Sequence, residues 1–95
     1  MSEMTIWKYS LPRPQNTYGK VQVDMNKSAQ IFSCQVQDGV ITLWALVSPD
    51  VFSSETRVFQ VIGTGHKFEH DGHGMKFIAT VQQPPFVWHI FEDVS

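Results

Sequence analysis

Residues 30–47 read Gln30-Ile31-Phe32-Ser33-Cys34-Gln35-Val36-Gln37-Asp38-Gly39-Val40-Ile41-Thr42-Leu43-Trp44-Ala45-Leu46-Val47. Two runs of β-forming residues flank Asp38-Gly39. That dipeptide is a strong hairpin signal, because a type I′ turn needs positive φ at both central residues. The turn sets a register in which Gln37 faces Val40, Val36 faces Ile41, Cys34 faces Leu43 and Phe32 faces Ala45. The last three pairs make one continuous apolar face. The opposite face carries Gln35 with Thr42, Ser33 with Trp44 and Ile31 with Leu46. It is mixed, and a Trp beside Ser and Gln points to a ligand surface, a second packing layer or a subunit contact.

Working outward, strand signals dominate. Met4–Tyr9 is a short run of β-formers, and Pro12–Gly19, with two prolines, Asn16 and Gly19, reads as a loop. Lys20–Asp24 alternates Val21 and Val23 with polar neighbours, as a half-buried strand does. Asn26–Gln30 is a turn, and a loop runs from Ser48-Pro49-Asp50 to about Glu55. Thr56–Ile62 is another strand, and Gly63–Gly74 is the longest irregular stretch. Met75–Gln82 and Phe86–Glu92 form a final pair joined through Gln83-Pro84-Pro85. Prolines confined to connections agree with this map.

The expected architecture is all-β: about six or seven strands, mainly antiparallel, in a small sandwich or barrel with little or no helix. Ninety-five residues make a single domain over 1–95. Hydrophobic residues are 42% and include seven Phe and three Trp, enough for a core. Charged residues are only 17%, against a usual ~25%. Few charges and many aromatics point to a homo-oligomer that hides apolar surface.

Charge excludes one class of partner. Net charge is −2 and the seven Lys and Arg are scattered, so there is no basic stripe to neutralise the phosphates of duplex nucleic acid. No apolar run approaches ~18 residues and no basic segment precedes an apolar one at Met1-Ser2-Glu3-Met4, which excludes a membrane and implies the cytosol. The single Cys34 cannot form an internal disulfide and fits a reducing compartment.

Several blocks arrive in order: Ile6-Trp7-Lys8-Tyr9; Gln35-Val36-Gln37 with Leu43-Trp44-Ala45-Leu46-Val47 and Pro49-Asp50; Gly63-Thr64-Gly65-His66; Thr80-Val81-Gln82 with Val87-Trp88-His89-Ile90-Phe91-Glu92. On these the chain resembles, over nearly its whole length, a family of short uncharacterised proteins common in phages and prophages. The resemblance implies a stand-alone domain of phage or mobile-element origin and carries no activity with it. The stretch His70–Gly74 is insertion-like and outside those blocks.

Gly63-Thr64-Gly65-His66 is the leading candidate site. Glycines on either side of a Thr allow a sharp turn that presents consecutive N–H groups, a nest for an anionic oxygen. Thr64 adds a hydroxyl and His66 a further donor. The plain alternative is a tight turn in which the glycines serve geometry alone. Trp7, Trp44 and Trp88 are most often core or interface residues; the functional alternative is a stacking platform, with Gln35, Gln37, Gln82 and Gln83 to read a base edge. Arg57 and Lys76 flank the glycine loop in sequence and suit phosphates; their alternative is a solvated strand face.

His66, His70, Asp71 and His73 lie close together and suggest a metal site. No Cys partner or helix holds their spacing, so no metal and no cofactor is expected. No nucleophile sits on a recognisable elbow, and Cys34 points to the apolar face, where a thiol is inert. The expectation is a non-enzymatic protein that binds an anionic, nucleotide-like small molecule, sequestering a host immune signal. The alternative is a phage accessory module that docks on another protein. A third reading, a metal-dependent hydrolase, rests on the His loop alone.

Overall fold

A computed structural model describes residues 3–13, 18–70 and 74–94. The described residues form seven strands: β1 (Thr5–Leu11), β2 (Tyr18–Asn26), β3 (Gln30–Gln37), β4 (Val40–Val47), β5 (Ser54–Gly63), β6 (Met75–Gln83) and β7 (Phe86–Asp93). One sheet has the order β1-β4-β3 and the other β2-β5-β7-β6. Every pairing is antiparallel. The sheets face one another, with β1 near β2 and β3 near β6. Among the described residues there is no helix, and so none long and apolar enough to cross a membrane.

The Asp38-Gly39 turn forms as its chemistry dictates. Asp38 has φ 51° and Gly39 φ 78°, both positive as a type I′ turn demands. The register follows the turn from Gln37–Val40 to Ser33–Trp44 and then shifts. Ile31, not Phe32, pairs with Ala45, and Gln30, not Ile31, pairs with Leu46. Phe32 is the extra residue of a bulge and is 58% exposed, so it does not extend the apolar face. The cause is the spacing of the inward residues. Ala29 and Ile31 pack at the core, as do Cys34 and Val36. The step from 31 to 34 breaks the period of two, and one bulged residue restores it.

The strands around the loops are longer than their alternation suggests. β2 starts at Tyr18, inside the stretch read as a loop, because Tyr18 and Gly19 pair with Ile62 and Val61. Ladder pairing wins over the loop-like composition there. Residues 14–17 lie outside the described part.

Leu11, Ile41, Leu43, Ala45 and Val47 of the first sheet meet Met25, Phe59, Val61, Val81, Trp88 and Ile90 of the second in one cluster. Burying each large side chain is worth about 1.5–3 kcal/mol. Trp88 is 1% exposed and stacks on Phe86 at 5.1 Å. Its Nε1 donates to Gln83 Oε1 at 3.0 Å, while Gln83 Nε2 donates to the Gly39 carbonyl at 2.7 Å. One glutamine thus ties the hairpin turn of one sheet to the core tryptophan of the other. Burial pushes the Cys34 thiol up to about 11, which keeps it protonated and unreactive.

Candidate functional site

The residues singled out from the sequence fall in three separate places. Gly63–His66 leaves the end of β5, whereas Arg57 sits near its start. Six residues of strand put these roughly 20 Å apart. Trp44 and Gln35 lie on the outward face of the β1-β4-β3 sheet, in rows set by the Ser33–Trp44 and Gln35–Thr42 pairs. Only Arg57 and Lys76 meet, in a shared cleft away from the other two groups.

The glycine block is a tight turn. His66 N–H donates to the Gly63 carbonyl at 3.1 Å, and Gly65 has φ +85°, which an L side chain rarely adopts. Thr64 N–H donates to the Val87 carbonyl at 3.2 Å. Both amides that flank Gly65 are therefore consumed by the fold, and the block is no open nest for an anion. What the turn does present is a hydroxyl. Thr64 Oγ1 lies 2.7 Å from His89 Nε2, and His89 Nδ1 lies 3.0 Å from Thr80 Oγ1. Thr80 and His89 are direct cross-strand partners, as are His89 and Ile62. Their side chains therefore share the face turned away from the other sheet.

Arg57 is already occupied. Its Nε and Nη2 donate to the two carboxylate oxygens of Glu92 at 2.6 and 2.7 Å, and Nη1 donates to the Ala29 carbonyl at 2.8 Å. The hydrogen bond to Glu92 leads in holding the guanidinium above its ordinary pKa, against the opposing effect of burial. The adjoining open cleft of about 670 Å³ carries Glu55, Glu92 and Asp93 against Arg57 and Lys76. Three carboxylates against two cations do not favour a phosphate.

On the Trp44 face, Lys8 is the cross-strand partner of Trp44, and its ammonium donates to Gln37 Oε1 at 3.0 Å. Trp44 is half-buried and Gln35 exposed. Of the metal candidates, Asp71 and His73 lie outside the described residues. Among the described residues no three His, Cys, Asp or Glu side chains gather as a metal would need.

A further site, of which only Trp7 was among the residues singled out from the sequence, lies between β1, β2 and the segment before β5. Trp7, Tyr9, Met25, Pro49, Val51 and Phe52 line an open, mainly apolar cleft of about 490 Å³, with Asp24, Asn26, Ser53 and Ser54 at its polar part. Phe52 is 96% exposed and Trp7 42% exposed. The segment bearing Phe52 is firmly held. Asn26 Nδ2 donates to the Val51 carbonyl at 2.7 Å, and Asn26 Oδ1 accepts from Ser28 N–H and Ser28 Oγ. Ser28 Oγ in turn accepts from Ser48 N–H at 2.8 Å. Val51 N–H reaches the Ser48 carbonyl, and Lys27 N–H reaches the Ser53 carbonyl. The one available sequence signal was a Val-Phe pair inside an otherwise polar loop.

No curated protein and no solved structure matches the chain. A family model matches residues 2–95, and the chain therefore belongs to that family, a domain of unknown function, DUF7352.

Proposed function

We propose that the Trp7–Tyr9–Phe52 cleft is a non-catalytic binding site that holds a planar, nucleotide-derived small molecule. In a phage setting such a binder would sequester a host immune signal. One observation carries the reading: a nearly fully exposed Phe52, fixed by backbone hydrogen bonds, stands beside Trp7 and Tyr9 across a concavity of ligand size. An exposed aromatic on a braced segment costs little ordering when it meets a ring, and each stacked base contributes about 1–3 kcal/mol. Asp24 and Asn26 supply polar groups for a base edge. Phosphates would project toward solvent, since no cationic side chain lines the cleft among the described residues.

The test is incubation with cyclic oligonucleotides and ADP-ribose derivatives, followed by heat release of the ligand. Intact ligand returned from the protein, and lost in Phe52→Ala and Trp7→Ala variants of unchanged melting temperature, supports sequestration. Cleaved product would make the cleft catalytic, and no retention of any signal ends the reading. A second reading, docking on another protein, draws on Ile6, Phe32 and Phe77, each more than half exposed. A single stoichiometric partner in a pull-down, without nucleotide binding, would favour it. Self-association belongs to either reading and is read from the mass in solution.

A further inference from the structure

We propose that Thr64, His89 and Thr80 form a nucleophile, a base and a positioning group for acyl transfer from small esters. This site shares no residue with the Trp7–Phe52 cleft and stands or falls apart from it. A hydroxyl becomes a useful nucleophile when a base lies within hydrogen-bond reach and a third group orients that base. Here the hydroxyl-to-imidazole distance is 2.7 Å and the imidazole-to-hydroxyl distance 3.0 Å, on opposite ring nitrogens. With the proton on Nδ1 donated to Thr80 Oγ1, Nε2 keeps its lone pair and accepts the Thr64 proton. Thr80 thus holds the ring in the orientation that turns Nε2 toward Thr64.

The surroundings allow a substrate to approach. Thr64 sits between Gly63 and Gly65 at the apex of a turn and is exposed, and a Cβ added at Gly65 would meet nothing within 4 Å. Phe91 follows His89 by two residues and so shares its face. It packs edge-on to Phe77 at 5.5 Å, and Phe77 is 55% exposed. That pair offers an apolar surface to the acyl or aryl part of an ester.

In the first step Thr64 Oγ attacks the ester carbonyl carbon, and its proton passes to His89 Nε2. The carbonyl electron pair moves to oxygen and returns as the C–O bond to the leaving alcohol breaks. The leaving oxygen takes the proton from His89. Water then attacks the acyl-threonine, gives a proton to His89, and releases the acid as Thr64 recovers that proton. No oxidant, reductant or further reactant is needed.

The probe is p-nitrophenyl acetate with the full chain, followed by stopped-flow release of p-nitrophenolate and peptide mapping of the acetyl group. A stoichiometric burst with acetyl on Thr64 is expected. Thr64→Ser keeps it, Thr64→Ala abolishes it, and His89→Ala slows acylation by about 100-fold or more. Thr80→Val slows acylation without changing apparent ester affinity and shifts the ring ¹⁵N signals of His89; Thr80→Ser restores both. Acetyl found only on lysines or the N-terminus overturns the proposal, as does a burst that survives Thr64→Ala or keeps its rate in His89→Ala. If His89→Ala melts early, the exposed-site variants Thr64→Ala and Thr64→Ser decide the matter.

Discussion

The two ends of the sandwich handle their polar groups in opposite ways. At the end where β2 turns into β3, Asn26 is 9% exposed and Glu92 6%, and both are bonded inward. At the other end Thr64 and Thr80 carry their hydroxyls on the surface around His89. A buried polar group that loses its partner bears the full cost of lost hydration, whereas an exposed one exchanges its partner for water. The first end is therefore architecture, and its hydrogen bonds are expected to be intolerant of change. The second leaves its side chains available for chemistry at little cost to the fold.

Mutation separates the two ends, and the largest effect belongs to the ion pair. Glu92→Ala leaves a guanidinium that is 17% exposed with its Nη1 bond to the Ala29 carbonyl but without its paired carboxylate, and equilibrium denaturation should show a loss of about 3 kcal/mol. A loss below about 1 kcal/mol would mean that water already reaches Arg57. Next is Asn26→Ala, which removes the acceptor for Ser28 and the donor to Val51. About 2–3 kcal/mol should be lost, with faster amide exchange at Lys27, Ser48 and Val51. Equal protection in the variant would show that the Phe52 segment is held by packing alone.

A pH experiment gives the third effect. The folded Cys34 thiol titrates near 11 against an ordinary 9.0. The unfolded chain therefore releases its proton first as pH rises, and the folded state loses stability from pH 9 upward through 11. At pH 10 that loss is about 1–1.5 kcal/mol. Other groups titrate in the same range, so the readout is the difference from Cys34→Ala, which should show a shallower decline. Parallel curves would remove the thiol from the account.

The smallest effect is expected at the exposed end. Thr64→Ala should leave stability within about 0.5 kcal/mol. A larger drop would make the Thr64–His89 bond part of the architecture and erase the contrast between the ends.

Much of the frame was legible because it is local. Asp38-Gly39 dictates its own turn, and the register it sets holds as far as Ser33 and Trp44. Phe32 was misplaced because Ile31, Phe32, Cys34 and Val36 admit two alternations, and only Ala29 and Ile31 packing at the same core decides between them. The site was far less legible. Arg57 reads as a free cation until Glu92, thirty-five residues on, closes around it. Phe52 reads as loop filler until β1 and β2 supply the other walls of its cleft. His89 belongs to an alternating strand, and the strand gives no sign that Thr64 and Thr80 will stand on either side of its ring. Each miss needed a contact made across the fold rather than along the chain.

The displaced Phe32 has a counterpart. A second bulge, at Ile78, interrupts β6 against β7. β3 and β6 are edge strands of their sheets and lie on the same flank of the sandwich. An edge strand is a template on which another chain can zip, and a bulge spoils the template by breaking the even spacing of its free N–H and C=O groups. This flank is thus guarded against runaway polymerisation twice over. The β1 and β2 edges carry no such interruption in their ladders. A further strand joining either sheet would add there, on the flank where Trp7 and Phe52 are displayed.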